Sequence, residues 1–171
     1  FSGIRASGDK TLGNYSGGFR QYVRTQDEAL AEGGEAVFCV VDMHSITTPF
    51  EPEVLHEATL SVAGWLFATG LDPDRSTVFV QSHVKAHAEA AWLLGAVTSW
   101  GELRRMTQFK DRSEEQDFVS AGLFNYPILM AGDILLYEAD IVPIGDDQRQ
   151  HLELSRNIAE RFNARFGETF K

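Results

Sequence analysis

The chain has 171 residues, a hydrophobic fraction of 43% and a formal net charge of −10, values typical of a globular domain with a sizeable core. The negative charge argues against a nucleic-acid-binding surface on this part of the protein, because it repels a polyanion. The apolar runs are too short to span a bilayer and no basic leader precedes one, so we expect a cytoplasmic protein without a membrane partner. A single cysteine, Cys39, lies in an apolar run and predicts a buried thiol.

Strands and helices are predicted to alternate along the chain. Short, nearly continuous apolar runs predict four strands, at 1–4, 36–41, 77–80 and 141–144. Helical spacing predicts helices at 15–30, 52–66, 86–97, 130–137 and 152–166. Gly167 is placed to end the last helix, Pro127 is expected in a first turn or at a kink, and the polar segment 99–116 is expected at the surface. This order predicts an α/β fold with a Rossmann-like parallel sheet and helices on both faces, which binds ligands at the carboxyl ends of its strands.

A possible phosphate site follows the first predicted strand. Thr11, Gly13 and Asn14 stand where the next helix begins, and a helix start presents unpaired amides and a positive dipole end. Gly13 would admit a nucleotide against the backbone, while Thr11 and Asn14 could donate to phosphate oxygens. An ordinary capped loop is the alternative, and these residues taken alone favour it.

A second polar group follows the fourth predicted strand, where Gly145, Asp147 and Gln148 precede the last helix. Carboxylates at a strand end can accept hydrogen bonds from ribose hydroxyls. Asp also caps helices, and alone that interpretation is favoured. Two such loops at strand ends together favour a nucleotide-binding site.

Tyr126, Met130 and Asp133 share one helical face by their spacing. A carboxylate on an apolar face needs a donor, which could be a ligand's indole N–H, a backbone amide or a neighbouring arginine. The histidines show no spacing that indicates a metal site. Asp42 and His44 are interpreted as loop groups at a strand end, with His44 placed to touch a ligand.

Several motifs together resemble bacterial tryptophanyl-tRNA synthetases, a class I family. They begin with Phe1-Ser-Gly-Ile-Arg-Ala-Ser-Gly8 and Thr11-Leu-Gly-Asn-Tyr15, continue with Met106-Thr-Gln-Phe-Lys110, and end with Leu129-Met-Ala-Gly-Asp-Ile-Leu-Leu-Tyr137 and Ile141-Val-Pro-Ile-Gly-Asp-Asp-Gln148. The resemblance covers almost the whole chain. It implies that residues 1–171 form part of a Rossmann-like catalytic domain, with the Lys-Met-Ser-Lys-Ser loop and the anticodon-binding helical domain beyond this chain.

The resemblance also implies roles for individual residues. Asp133 would accept the indole N–H, inside a pocket lined by Phe1, Val40, Met130, Val142 and Ile144. The amino and carboxylate groups of tryptophan would be held by Tyr126, Gln148 and Gln108, with His44 nearby. The ATP-binding residues would be Arg5, Gly13, Asn14, Gly145, Asp147 and Gln148. Thr11, Asn14 and Arg112 would act in catalysis, Arg112 standing where the family has a lysine that reaches the phosphates.

The implied activity is activation of L-tryptophan with ATP and Mg²⁺, followed by transfer to tRNA(Trp), in a homodimer without a tightly bound protein metal. Tyrosine activation is the nearest alternative, although Met130 favours an indole over a phenol. A synthetase-like nucleotide-binding regulator that makes no adenylate is another. A nucleotidylyltransferase of the His-x-Gly-His type is disfavoured, because Thr11 and Asn14 replace both histidines.

Overall fold

A computed structural model describes residues 1–6, 15–114 and 118–171, with the backbone alone for residues 16, 17 and 111–114. These residues group into two compact units. The first unit comprises Phe1–Ser45 and Pro49–His83, and the second comprises Ile46–Thr48 and Val84–Lys171. Short 3₁₀ turns occupy Ser45–Thr47, Gln81–His83 and Asp146–Gln148.

The first unit contains a parallel sheet in the order β1-β2-β3. Its strands are β1 (Ser2–Ile4), β2 (Val37–Val40) and β3 (Thr77–Val80). Its helices are a π-helical turn (Tyr15–Phe19), which continues into α1 (Arg20–Ala31), and α2 (Pro52–Ala68), which begins with a proline where no helical N–H is required. The parallel Rossmann-like sheet predicted from the alternation of elements is confirmed for these three strands.

The core of the first unit lies on one face of β2. Phe38 and Val40 point to the same side because strand residues alternate, and they pack with Ile4 of β1 and with Val62 and Leu66 of α2. Cys39 points to the other side and is also fully buried, so both faces of the strand are covered. The predicted buried thiol is confirmed.

Two polar side chains are accommodated at the sheet. Ser2 of β1 is buried and shares a hydrogen bond with Tyr22 of α1. Burial raises the pKa of the Tyr22 hydroxyl, and the bond with Ser2 opposes that effect only in part. The hydroxyl therefore stays protonated and can donate at neutral pH.

Asp42 ties together the carboxyl ends of β2 and β3. Its Oδ1 accepts from the backbone N–H groups of Met43 and Ser82, both at 3.0 Å, and its Oδ2 accepts from the Ser82 hydroxyl at 2.5 Å. The N–H of Met43 also donates to the side-chain oxygen of Gln81. This geometry agrees with the interpretation of Asp42 as a polar group that orders a strand end.

The second unit is helical. Its helices are α3 (Ala86–Gly95), α4 (Trp100–Arg104), α5 (Thr107–Glu114), α6 (Ala121–Leu135) and α7 (Arg149–Phe166). Leu94, Ile128, Leu154 and Ile158 form its core together with Ala131. Gly167 ends α7 with a φ of 95°, as expected of a glycine at a helix end.

Helices α3 and α6 approach each other closely at Gly132. A Cβ at this position would lie 3.3 Å from the backbone nitrogen of Ala91 and 3.4 Å from the Cβ of Ala90. Such a contact is tighter than a side chain normally allows, so the absence of one at Gly132 lets the two helix backbones come together.

Two predictions about local structure were wrong. Residues 141–144 are not a strand, because Pro143 cannot donate to a β-ladder and Ile141 is mostly exposed. The segment 99–116 does not lie wholly at the surface, since its described part forms α4 and α5 and buries Leu103 and Met106 in the core. Pro127 lies inside α6 and not in its first turn, because the helix already begins at Ala121, and the alternative expectation of a kink at this proline stays a prediction.

Among the described residues, the helices are all too short or too polar to cross a membrane.

Replacing Asp42 with alanine is expected to lower the free energy of unfolding by about 1 to 3 kcal/mol, because the amides of Met43 and Ser82 lose a charged acceptor. Urea denaturation checks this. Asp74→Ala, which removes an exposed carboxylate before β3, is the control and should change stability by less than about 0.5 kcal/mol. Equal effects of the two substitutions would contradict the role of Asp42.

Candidate functional site

A buried hydrogen-bonded cluster joins three helices of the second unit. Tyr126 of α6 donates its hydroxyl to the side-chain oxygen of Gln108 on α5, at 2.9 Å. The same hydroxyl lies 2.7 Å from Nε2 of His151 on α7. His151 is almost completely buried, and its ring lies against that of Tyr126 with a centroid separation of 5.2 Å. The cluster therefore fixes the position of the Tyr126 hydroxyl relative to α5 and α7.

The loop that precedes α7 joins this cluster through Gln108. The amide nitrogen of Gln108 lies 3.3 Å from both the backbone oxygen and Oδ2 of Asp147. The side-chain nitrogen of Gln148 donates to the same Oδ2 at 2.7 Å. Asp147 thus receives two side-chain amides, and the structure brings together Gln108, Tyr126, Asp147 and Gln148, four of the predicted site residues.

These bonds define which group donates and which accepts. The amide of Gln108 donates to Asp147, so its oxygen is left to accept from Tyr126. The Tyr126 hydroxyl has one proton, which it gives to Gln108, and therefore it accepts from His151. This arrangement places the proton of His151 on Nε2.

Gly145 stands directly against the carboxylate of Asp147. A Cβ on Gly145 would lie 2.7 Å from Oδ1 of Asp147, a distance that would force the carboxylate to move. The φ of Gly145 is −73°, which any residue adopts, so a substitution here would act by displacing the Asp147 carboxylate and not by straining the backbone.

A second buried chain of hydrogen bonds includes Asp133. Its Oδ1 lies 2.6 Å from Nδ1 of His87 on α3, and Nε2 of His87 lies 2.9 Å from the hydroxyl of Tyr137. His87 is fully buried and Asp133 nearly so. The carboxylate on the apolar face of α6 therefore has a histidine partner, which is neither of the protein donors expected from the sequence.

The remaining predicted residues lie in three places. In the first unit, Val40 is buried in the core, while Phe1, Arg5 and His44 are half-buried at the ends of β1 and β2. In the second unit, Met130, Val142 and Ile144 are half-buried. Four predicted residues fall outside what the structure describes: Thr11, Gly13 and Asn14 entirely, and Arg112 in its side chain.

His87 and His151 were not predicted as site residues. Both carry a signal in the sequence, because each shares a helical face with buried leucine or isoleucine side chains. His87 is seven residues from Leu94, and His151 precedes Leu154 and Ile158 by three and seven. A histidine at such a position is buried and needs polar partners.

Metal-ligating side chains do not cluster in the described ranges, where no group of three or more His, Cys, Asp or Glu residues could hold an ion.

Replacing Tyr126 with phenylalanine is expected to lower the free energy of unfolding by about 1 to 3 kcal/mol, because the buried Nε2 of His151 and the oxygen of Gln108 lose their partner. Thermal and urea denaturation measure this loss. Tyr15→Phe removes the hydroxyl of an exposed tyrosine and serves as the control. A Tyr126→Phe variant as stable as the control would show that the cluster contributes nothing to stability.

A family model described as tRNA synthetases class I (W and Y) matches residues 1–171, the whole chain. The chain is also 55% identical over 170 residues to a tryptophan–tRNA ligase of Caldanaerobacter subterraneus subsp. tengcongensis and 54% identical over 172 residues to one of Clostridium tetani. These alignments cover 99% and 100% of this chain, but only 50% and 49% of the relatives. The chain thus spans about half the length of the curated relatives that it matches.

Solved structures agree with this result. A crystal structure of tryptophanyl-tRNA synthetase from Campylobacter jejuni, complexed with ADP and tryptophan, matches with a TM-score of 0.91 and 37% identity, covering 98% of this chain and 51% of that one. The enzyme from Mycoplasma pneumoniae matches with a TM-score of 0.92 and 41% identity, covering 99% and 50%. A tyrosyl-tRNA synthetase from Archaeoglobus fulgidus, with a TM-score of 0.78 and 21% identity over 95% of this chain and 50% of that one, shares the fold. The chain belongs to the class I tRNA synthetases of the tryptophan and tyrosine family.

Proposed function

We propose that the protein activates L-tryptophan with ATP and transfers it to tRNA(Trp). The observation that carries this proposal is the identity of 49 to 55% to three tryptophan–tRNA ligases along almost the entire chain. The similar structure from Campylobacter jejuni, which is complexed with ADP and tryptophan, supports binding of tryptophan together with an adenine nucleotide.

Asp133 is proposed to recognise the indole N–H. The carboxylate is buried on α6 beside Met130 and Ile134, an environment in which an indole ring is well accommodated. A carboxylate has two oxygens and about four acceptor sites, so it can accept from more than one donor, of which His87 at Oδ1 is one. An indole presents one N–H donor and no acceptor, which matches a carboxylate.

The amino and carboxylate groups of tryptophan are proposed to be held by Tyr126, Gln108 and Gln148. Their side chains already share one hydrogen-bonded network through Asp147. Because each is fixed by a neighbour, little side-chain entropy would be lost on binding. The further residues proposed to bind the tryptophan are Phe1, Val40, Val142, Ile144 and His44.

ATP is proposed to bind through Arg5, Gly13, Asn14, Gly145, Asp147 and Gln148. The close contact of Gly145 with Asp147 supports a role for this glycine, because a side chain there would displace the carboxylate proposed to meet the ribose. Mg²⁺ would enter with the phosphates of ATP and reduce their negative charge.

The proposed reaction is an in-line displacement. A carboxylate oxygen of tryptophan forms a bond to the α-phosphorus of ATP, the bond from that phosphorus to the bridging oxygen breaks, and pyrophosphate leaves. The products are tryptophanyl-adenylate and pyrophosphate. This reaction requires alignment and charge stabilisation, to which Thr11, Asn14 and Arg112 would contribute, and no protein nucleophile.

In the second step a terminal ribose hydroxyl of the tRNA attacks the activated carbonyl and AMP leaves. The net charge of −10 makes this segment a poor polyanion surface, so most tRNA contacts would come from other parts of the protein or from a partner subunit. We place this activity in the cytoplasm, where tRNA is charged.

A homodimer is proposed as the assembled form. Helix α3 exposes Trp92 by 83% and Leu93 by 61%, and Trp100 at the start of α4 is 63% exposed. Three large apolar side chains exposed on one short segment are typical of a surface that associates. A second copy of this chain is the proposed partner.

Asp133→Ala is expected to lower kcat/KM for tryptophan by at least roughly tenfold in pyrophosphate exchange, because a hydrogen bond to a charged group is lost, while the KM for ATP stays within a few-fold. The ratio of kcat/KM for tryptophan to that for phenylalanine should fall, since the variant has no acceptor that an apolar analogue would leave unpaired. The measurement compares tryptophan, tyrosine and phenylalanine on full-length wild type and variant. Unchanged tryptophan efficiency would show that Asp133 is structural, and a wild type that prefers tyrosine would overturn the substrate assignment.

Trp92→Glu is expected to shift the full-length protein from dimer toward monomer at micromolar concentration, because it places a charge in the proposed apolar interface. Sedimentation equilibrium measures the shift. Phe118→Glu changes another exposed aromatic residue and should leave the dimer intact. A wild type that sediments only as a monomer would contradict the proposed homodimer.

A further inference from the structure

The chain of hydrogen bonds from Tyr137 through His87 to Asp133 forms part of the second unit's core. We propose that His87, held by Tyr137, is a positioning residue that fixes the carboxylate of Asp133 and thereby determines the preference for a side chain with an indole N–H. This inference rests on the proposed function, because it concerns the amino acid that Asp133 recognises.

The geometry links the three side chains closely. The distances are 2.6 Å from Nδ1 of His87 to Oδ1 of Asp133 and 2.9 Å from Nε2 of His87 to the Tyr137 hydroxyl. His87 has 0% relative exposure and Asp133 has 3%. The rings of His87 and Tyr137 also contact each other, with centroids 5.6 Å apart and planes inclined by 42°. A ring bonded at both nitrogens and packed on a third side has little freedom to move.

The helix backbones maintain this geometry. His87 lies on α3 and Asp133 on α6, and Gly132, the neighbour of Asp133, allows the backbones of the two helices to touch. The backbone oxygen of His87 lies 3.6 Å from the position that a Cβ of Gly132 would occupy. The distance between the histidine and the carboxylate is therefore set by a rigid helix contact and not by a loop.

The two possible proton arrangements have the same consequence for Asp133. In a neutral imidazole, Nδ1–H donates to Asp133 and Nε2 accepts from the Tyr137 hydroxyl. In an imidazolium, both nitrogens donate, and Tyr137 accepts. In each arrangement Asp133 is an acceptor toward His87, and its other lone pairs remain oriented by that bond. A fixed acceptor selects a ligand N–H more strongly than a carboxylate that can rotate toward other donors.

A purely structural role for His87 predicts a different outcome. If the histidine only stabilised the contact between α3 and α6, its loss would lower the melting temperature without changing the choice between substrates. The ratio of kcat/KM for tryptophan to that for L-3-benzothienylalanine separates these cases, because sulfur replaces the indole N–H in the analogue and the rest of the side chain keeps its shape. The ratio reports the hydrogen bond to Asp133 and is insensitive to the amount of folded enzyme.

Substituting His87 with asparagine or glutamine separates the two hydrogen bonds that the imidazole makes. In His87→Asn the amide nitrogen takes the place of Nδ1, so a donor to Asp133 is retained and the bond to Tyr137 is lost. In His87→Gln the amide nitrogen takes the place of Nε2, so the donor to Asp133 is lost. Pyrophosphate exchange by the full-length protein is expected to show the ratio reduced at least about fivefold in His87→Gln but only about twofold in His87→Asn, which loses the same bond as Tyr137→Phe.

Two further variants complete the test. Tyr137→Phe removes the hydroxyl that holds the ring and is expected to lower the ratio at least about twofold, which keeps the proposal testable if His87→Gln does not fold. Leu94→Ala creates a cavity in the same helix, where Leu94 is buried, and is expected to lower the melting temperature with the ratio unchanged.

The outcomes distinguish this inference from the proposed function. A wild type that favours tryptophan, with an unchanged ratio in His87→Gln or Tyr137→Phe, would overturn the positioning role and leave the proposed function intact. A wild type that exchanges no pyrophosphate with tryptophan would overturn the proposed function. A wild type that uses tryptophan and the benzothienyl analogue equally would contradict the roles proposed for both Asp133 and His87.

Discussion

The close contact between α3 and α6 at Gly132 is the constraint on which the second unit depends. Helix backbones approach most closely where a residue lacks a Cβ, and here the nearest backbone atom would lie 3.3 Å from an added Cβ. The same approach places Asp133 within hydrogen-bond distance of His87. The packing of α3 against α6 and the hydrogen bond between His87 and Asp133 both depend on this contact, so a side chain at position 132 would disturb both.

Helix α6 and the residues directly after it anchor two buried pairs of histidine and tyrosine. His151 bonds to Tyr126 within α6, and His87 bonds to Tyr137 just beyond its end. Buried polar groups are costly unless they are paired, so each pair permits only one relative placement of the helices that carry it. The resulting rigidity suits the proposed recognition of a ligand by a single N–H group.

Much of the first unit could be predicted from the sequence, because β-branched apolar runs such as Thr77–Val80 carry a clear strand signal. The apolar run at 141–144 indicates a strand that does not form, because Pro143 has no N–H to donate to a β-ladder. Helices α4 and α5 were missed because charged residues concealed the buried positions of Leu103 and Met106. In each case a local backbone or burial requirement outweighed the average character of the segment.

Site residues that lie close together in the chain could be grouped from the sequence, and those far apart could not. Tyr126, Met130 and Asp133 could be grouped because helical spacing places them on one face, and Asp147 adjoins Gln148 in the chain. The bond between His87 and Asp133 joins residues 46 positions apart, and the bond between Gln108 and Asp147 joins residues 39 apart. Local sequence patterns do not indicate which residues so far apart in the chain come into contact. These contacts follow from how the helices of the second unit pack.

We propose that the protein selects tryptophan and activates it with ATP. Pyrophosphate exchange by the full-length protein, run separately with each of the common amino acids, measures both properties. We expect rapid tryptophan-dependent exchange, with tyrosine and phenylalanine slower by orders of magnitude. Exchange that depends on tyrosine, or the lack of exchange with every amino acid, would contradict it.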